Sequence, residues 1–322
     1  MSSLLEVRQL TVSFKTEEDS FKAVDRVSFD VHRGEIVGLV GESGCGKTVT
    51  ALSILRLIPS PPGVIEAGKV VFKGRDLIRI SPEEMRRIRG KEISMIFQEP
   101  MTALSPLHRI GEQLVEALML HNSMPRKEAW DLAEMWLRKV DMPDAEGRMH
   151  AYPFQLSGGM QQRVMIAMAL MLNPDLVIAD EPTTALDVTV QAQIFDLIQQ
   201  MRKRDTAILL ITHNMGIIWE MSDRVIVMYA SQIAEEGGRE DIFSNPAHPY
   251  TRGLLQSIPK IPGNRERLKT IPGHVPSPRN YPSGCHFRDR CEYAFDRCVR
   301  EEPVLIDLGG GHRAACFLLE KG

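Results

Sequence analysis

Gly41-Glu42-Ser43-Gly44-Cys45-Gly46-Lys47-Thr48 fits G-x-x-x-x-G-K-[ST] and directly follows the apolar run Ile36-Val37-Gly38-Leu39-Val40. The context carries more weight than the pattern. It predicts a buried strand, a Gly-rich turn, and an apolar helix beginning near Thr48, with Val49, Ala51, Leu52, Ile54 and Leu55 as its apolar positions. In that setting the glycines let backbone N–H groups curl around an anion, and the helix N-terminus adds partial positive charge. Lys47 is placed to reach the β- and γ-phosphates of a nucleotide, and Thr48 to hold Mg²⁺ through its hydroxyl. A Gly-rich turn that matches by chance is the alternative; the flanking strand and helix argue against it.

A second buried strand, Leu176-Val177-Ile178-Ala179, ends in Asp180-Glu181. In α/β sheets ligands bind beyond the carboxyl ends of strands. Asp180 is therefore a candidate Mg²⁺ ligand, directly or through water, and Glu181 a candidate for polarising an attacking water. The same pair could instead cap the helix that follows. Upstream, Leu156-Ser157-Gly158-Gly159-Met160 opens another apolar helix (Val164, Ile166, Ala167, Ala169, Leu170). Ser157, Gly158 and Gly159 offer a hydroxyl and bare N–H groups at a helix N-terminus, a second phosphate-binding surface. Read alone, Ser157 could be a simple helix cap.

These motifs set an α/β expectation with a mainly parallel sheet, reinforced by a third buried run, Ala207-Ile208-Leu209-Leu210-Ile211. Residues 4–14 and Val27–Val31 alternate like strands and predict an antiparallel element beside that core. Pro125 to Val140 has helical spacing, with Trp130 and Trp136 read as core packing. Eight of the 20 prolines fall between Pro246 and Pro282, so residues 246–284 read as an ordered but irregular linker. The expected division is 1–245 for the nucleotide-binding part, with a helical portion at about 100–170, and 246–322 for the linker and a small irregular C-terminal cysteine module.

The chain has 322 residues, 43% of them hydrophobic, enough for one large or two moderate domains. A net charge of −3 argues against nucleic-acid binding through a global basic field. No apolar run reaches the ~18 residues that a spanning helix needs. Met1-Ser2-Ser3-Leu4 lacks the basic and apolar regions of a secretory leader. A cytoplasmic protein, or one docked on the cytoplasmic face of a membrane, is expected.

Taken in order, these stretches resemble the ATP-binding-cassette (ABC) ATPases over about residues 4–245. Leu156-Ser157-Gly158-Gly159-Met160 resembles their signature motif, with Met160 where Gln is commoner. Gln98, in Met95-Ile96-Phe97-Gln98-Glu99-Pro100, resembles the Q-loop glutamine, and Ala185-Leu186-Asp187 the D-loop. His213, after Leu209-Leu210-Ile211-Thr212, resembles the switch histidine; alone it would read as a core histidine. Phe14 is a candidate for the aromatic that stacks on adenine, although a strand-end Phe is usually core. The resemblance implies a mechanism in which two such chains meet head to tail around two ATP molecules. Each nucleotide would be held by the 41–48 loop, with Glu42, Ser43 and Cys45 among its residues, and by the Ser157–Gly159 loop of the other chain. Gln98 and His213 would sense Mg²⁺ and the γ-phosphate, and dimer closure would drive membrane helices.

Leu156 to Leu170, the segment from Ile178 to Gln193, and His248-Pro249-Tyr250-Thr251-Arg252-Gly253-Leu254-Leu255 are similar to the oligopeptide/dipeptide-permease ATPase subunits. That resemblance implies an importer for di- and oligopeptides at the inner membrane. It implies as partners a second ATPase subunit (self or paralogue), two permease subunits and an extracytoplasmic peptide-binding protein. Nickel or another small solute is the alternative cargo, and a soluble ABC ATPase of iron–sulfur assembly or DNA repair the alternative class. Cys285, Cys291, Cys298 and Cys316 read C-x5-C-x6-C-x17-C, unlike the paired C-x2-C of common zinc modules. The pattern resembles the cysteine motif of many dipeptide-permease ATPases, some of which carry a [4Fe–4S] cluster; zinc and an unmetallated module stay open. His286 and His312 could substitute as zinc ligands but read as surface histidines, and Arg288, Arg290 and Arg297 could bond a negatively charged cluster or form a solvated basic face. Because the cysteines lie outside the nucleotide motifs, changes there are expected to leave ATP binding intact.

Overall fold

The structure is a computed structural model; it describes residues 3–16, 19–183, 186–202, 205–257 and 270–321. Ala185 of the D-loop stretch, and Pro259 and Pro262 of the linker, lie outside the described residues. Among the described residues, six strands precede residue 100: β1 (Ser3–Lys15), β2 (Ser20–His32), β3 (Ile36–Val40), β4 (Gly63–Phe72), β5 (Arg75–Asp76) and β6 (Ile93–Ile96). Six follow: β7 (Leu176–Asp180), β8 (Ala207–Ile211), β9 (Arg224–Tyr229), β10 (Gln232–Gly238), β11 (Ile306–Asp307) and β12 (Arg313–Ala314).

The chain falls into two compact units. The first holds Met1–Val31, Ile36–Arg79 and Ile211–Gly322; the second holds His32–Glu35 and Ile80–Leu210. In the first unit, β2, β1, β4 and β5 lie in that order in one sheet. β1 runs antiparallel to β4, with Leu5 opposite Phe72 and Val7 opposite Val70. The alternation read from residues 4–14 is thus a strand with one apolar face in the core. The same unit carries β3, parallel to β9. All five β3 residues are buried, as a near-continuous apolar run requires of a parallel strand covered on both faces. β10 pairs antiparallel with β9, β12 with β10, and β11 with β12. The C-terminal extension therefore covers an edge that β10 would otherwise present.

The second unit contains β6 parallel to β7, in register from Ile93 opposite Leu176 to Ile96 opposite Ala179, with β8 next to β7. Its helices Ile110–His121 and Arg126–Lys139 bury Leu114, Leu118, Ala133 and Leu137. Trp136 is buried, and Trp130 packs on His150 with ring centroids 5.2 Å apart, so Trp136 is a core residue while Trp130 is half-buried at its edge.

One expectation needs correction. The start of the proline-rich stretch is not irregular: Pro249–Gln256 is an α-helix. Pro249 occupies its first turn, where the missing N–H costs nothing, and the His248 ring caps it by accepting the Tyr250 N–H at 3.0 Å.

Candidate nucleotide site and cysteine pocket

The loop between β3 and the helix Lys47–Ile54 has the shape that the sequence requires. Gly46 is the helix N-cap at φ +104°, with no side-chain cap bond. A Cβ there would sit 2.4 Å from the Ala23 carbonyl oxygen, so only glycine fits. Gly44 has φ +82° and nothing within 4 Å of a built Cβ, which leaves the loop's outer face open to a phosphate. Lys47 is buried and donates to the carbonyls of Gly41 (2.8 Å) and Glu42 (3.0 Å), which holds its ammonium inside the loop. Cys45 is buried beneath the loop, and burial pushes its thiol pKa up, partly offset by Lys47. It is a packing residue whose sulfur faces Lys47 rather than open space. Ser43 is exposed and Thr48 half-buried. Two more residues of this unit bear on the site. Phe14 is half-buried and stacks on Phe21 at 5.8 Å. His213 is exposed in a turn, where Thr212 accepts the Asn214 N–H and Asn214 caps the helix Met215–Met221; this excludes the core-histidine reading.

The second unit carries the carboxylates. β7 is buried throughout and ends at Asp180, which is 2% exposed. Glu181 has φ +47°, a left-handed conformation rare for a side chain of this kind. Such strain costs about 1–3 kcal/mol and gathers where function requires it. Ile96 faces Ala179 across the parallel pair, so Gln98 and Glu181 each stand two residues beyond one aligned position at the sheet's C-terminal edge. Gln98 is exposed there. The Ser157 side chain caps the helix Gly158–Leu170 by accepting the Met160 N–H at 3.3 Å. Ser157 and Gly158 remain exposed, and nothing lies within 4 Å of a Cβ built on Gly158. Ser157 therefore caps the helix, and the cap leaves its hydroxyl proton and the open glycine face available. Gln162, fully buried, donates to the Pro182 carbonyl and ties this helix to the turn after Glu181. Asp187 accepts the Val190 N–H at 3.1 Å and starts the helix Val188–Arg202.

The C-terminal extension departs most from expectation. Arg290 does not reach toward the cysteines. Its guanidinium makes a two-pronged bond to the Glu42 carboxylate in the phosphate loop, at 2.7 and 3.0 Å. The Tyr250 hydroxyl accepts the Glu42 backbone N–H at 2.9 Å. Arg288 bonds Ser283 and Val299, and Arg297 pairs with Glu301 and Glu320. His286 bonds the Ala230 carbonyl, and the buried His312 bonds the fully buried Glu235, so neither is a free surface histidine. Local sequence carries no signal for the Arg290–Glu42 pair, since 248 positions separate the partners.

Cys285, Cys291, Cys298 and Cys316 are all free thiols lining one small pocket with Phe287 and Phe317. The Cys285 N–H donates to the Cys298 carbonyl at 2.8 Å. Burial pushes the Cys285 thiol up to about 11, with the neighbouring cysteines adding to the rise; Cys291 and Cys316 are also raised, first by burial. Among the described residues, no three His, Cys, Asp or Glu side chains are gathered closely enough to hold a single metal ion. Four thiols around one pocket are the donor set of a Cys-ligated iron–sulfur cluster and equally that of a tetrahedral zinc ion.

A phosphate loop closed by Lys47 and a buried strand tipped with adjacent carboxylates define the class, a P-loop nucleoside triphosphatase. Comparison with known proteins narrows it. Residues 24–184 match the ABC transporter family, and residues 234–298 match the oligopeptide/dipeptide transporter C-terminal region. The chain is 49% identical over 322 residues to the oligopeptide transport ATP-binding protein AppD of Bacillus subtilis, covering 100% of this chain and 98% of that protein. It is 48% identical to the dipeptide transport ATP-binding protein DppD of Escherichia coli, covering 98% and 96%. A solved ATP-binding cassette, dimeric in a post-hydrolysis state with ADP and phosphate, aligns with TM-score 0.67 at 26% identity, covering 73% of this chain and 98% of that one. The chain belongs to the ABC transporter family of ATP-hydrolysing proteins.

Proposed function

We propose that this chain is the ATP-hydrolysing subunit of an importer for di- and oligopeptides. The observation that carries the peptide assignment is the match of residues 234–298 to the oligopeptide/dipeptide transporter C-terminal region. The names of the relatives point the same way. The site residues take the roles read from the sequence. Lys47 and the 41–48 loop bind the phosphates, and Thr48, Gln98 and Asp180 serve Mg²⁺. Glu181 orients the attacking water, His213 meets the γ-phosphate, and Phe14 stacks on adenine. Ser157, Gly158, Gly159 and Asp187 act across a dimer interface on the partner chain's nucleotide. Hydrolysis then rests on positioning and electrostatic stabilisation. The partners are a second ATPase subunit, two permease subunits and an extracytoplasmic peptide-binding protein. No helix among the described residues is long and apolar enough to cross a membrane, so membrane attachment comes through the permease. Residues 1–245 act as the cassette, with its helical part at about 100–170, and 246–322 as the extension. Affinity purification from membranes, followed by peptide uptake in reconstituted vesicles, tests the reading. Co-purification with iron–sulfur assembly or DNA-repair factors in place of permeases overturns it, and uptake of nickel without peptides moves the cargo.

We further propose a [4Fe–4S] cluster held by Cys285, Cys291, Cys298 and Cys316, the four thiols that line one pocket. A cubane takes four thiolate ligands, one on each iron atom, and four thiols line this pocket. When bound, the cluster would supply four metal–sulfur bonds that staple the extension. Protein purified without air should carry about four iron atoms per chain, lost on any single Cys→Ser change among the four and kept on Cys45→Ser. Stoichiometric zinc without iron ends the cluster proposal.

A further inference from the structure

We propose that the C-terminal extension clamps the phosphate-binding loop, with Arg290 as a positioning residue for ATP: it neutralises Glu42 so that a triphosphate can enter. The inference rests on the loop's reading as the ATP site.

Every nitrogen of the guanidinium has a partner. Nε donates to the Pro272 carbonyl (2.8 Å), and Nη1 to Glu42 Oε2 (2.7 Å) and the Tyr229 hydroxyl (3.4 Å). Nη2 donates to Glu42 Oε1 (3.0 Å) and the Gly273 carbonyl (3.4 Å). The Arg290 side chain is only 5% exposed. A solvated surface pair is loose and exchangeable; this one is two-pronged, buried on the arginine side and braced by backbone carbonyls. Tyr250 adds a second hold through the Glu42 N–H. Its ring packs on Tyr229 at 4.6 Å and on Phe287 at 5.4 Å, so β9 and the extension share one aromatic cluster that reaches the loop through the Tyr250 hydroxyl.

Glu42 is the second residue of the loop. A bare carboxylate there would stand beside the place where three phosphates bind. Like charges at such range repel strongly where water is partly excluded. Arg290 cancels that charge and fixes the side chain away from the loop's open face. The same residue closes the turn Arg288–Arg290, whose C-cap is Cys291. Loss of order around the cysteine pocket therefore releases the clamp. On this proposal, changes in the cysteine segment weaken ATP binding, against the expectation that they leave it untouched.

The test measures ATP and ADP dissociation constants of the full chain by fluorescent-nucleotide titration, with thermal unfolding as the folding check. Arg290→Met should weaken ATP binding about tenfold, the equivalent of ~1.4 kcal/mol, and less at high salt because the repulsion is screened. Glu42→Gln alone leaves the Arg290 charge uncompensated beside the triphosphate and should tighten ATP binding. The double variant Glu42→Gln/Arg290→Met should recover most of the loss, because the unneutralised charge is gone. In the assembled transporter KM for ATP should rise, with kcat at saturating ATP unchanged. Arg290→Lys, which keeps the charge and loses the fork, should fall between; it carries the test if Arg290→Met does not fold. Lys47→Ala serves as the reference for the site. Wild-type affinity in Arg290→Met and Arg290→Lys, with binding lost in Lys47→Ala, overturns the clamp and leaves the site standing. A loss in Arg290→Met that the double variant does not recover, and that salt does not change, reduces Arg290 to a structural role and also overturns it. Full ATP affinity in Lys47→Ala overturns the site itself.

Discussion

Glu235→Ala should unlatch the extension at a definable cost. Glu235 lies in β10 with 0% exposure. Its carboxylate accepts the backbone N–H of Ala247 at 2.7 Å and of His248 at 2.9 Å, and it bonds His312 Nε2 at 2.7 Å. Those contacts fix the entry to the helix Pro249–Gln256, which carries Tyr250 to the phosphate loop. Truncation orphans three buried polar groups at about 1–3 kcal/mol each. Water entering the vacated space, which is polar and can hold it, recovers part of that cost, leaving ~3 kcal/mol. The penalty falls on local opening of the extension, so it is read by native-state hydrogen exchange over 247–256. Protection there should drop about 100-fold, at ~1.4 kcal/mol per decade, while the strands β6 and β7 keep theirs. Glu235→Gln keeps one acceptor oxygen and should lose less. Protection over 247–256 unchanged within about threefold in a folded Glu235→Ala protein would refute the reasoning.

Two further outcomes follow from the site and one from a buried carboxylate elsewhere. Glu181→Gln should still bind ATP but lose roughly 10²–10⁴ of its turnover in the assembled transporter, the usual contribution of a base positioned on water; a wild-type rate in steady-state phosphate release removes Glu181 from its role. Isolated chain should hydrolyse ATP poorly, with activity rising more than linearly with concentration, because the Ser157 loop must come from a partner; constant specific activity in a sample shown to be monomeric contradicts the head-to-tail arrangement. Asp25 is a buried carboxylate whose pKa burial raises, but hydrogen bonding and charge from Lys22 and Arg26 lower it below 3.8 overall. Its folded-state pKa is thus below the unfolded one, so its stabilisation is present above about pH 4 and lost as pH falls further. Asp25→Asn should flatten the acid limb of the unfolding curve, and an identical limb in both proteins contradicts the assignment.

Residues 41–48, 156–163 and 176–181 were legible because their structure is local. A strand, a glycine turn and a helix start are written within a dozen consecutive residues, and the chemistry needs no distant partner. The helix Arg126–Lys139 was legible for the same reason, through its 3.6-residue spacing. The apolar run Arg224–Tyr229 passed unread as a strand because no motif borders it. β4, β10 and β12 also went unread: their polar and glycine positions mask the period, and pairing across the sheet, not local preference, makes them strands. The proline-rich stretch misled, since a proline count does not say that Pro249 would fall in a first turn.

By itself the sequence determined the phosphate loop, the carboxylate-tipped strand, the Ser157 helix start and the family they define. Each depends on residues adjacent in the chain, whose backbone geometry is fixed by glycine, helix termini and strand alternation. Only the tertiary structure decided what the extension touches. Arg290 and Glu42 are 248 positions apart, and the Arg290 side chain could as readily face the cysteines or water. What selects Glu42 is burial: an arginine that folding brings to 5% exposure must find a carboxylate and carbonyls for all its donors. The phosphate loop, next to β9 and under Tyr250, is where those partners converge.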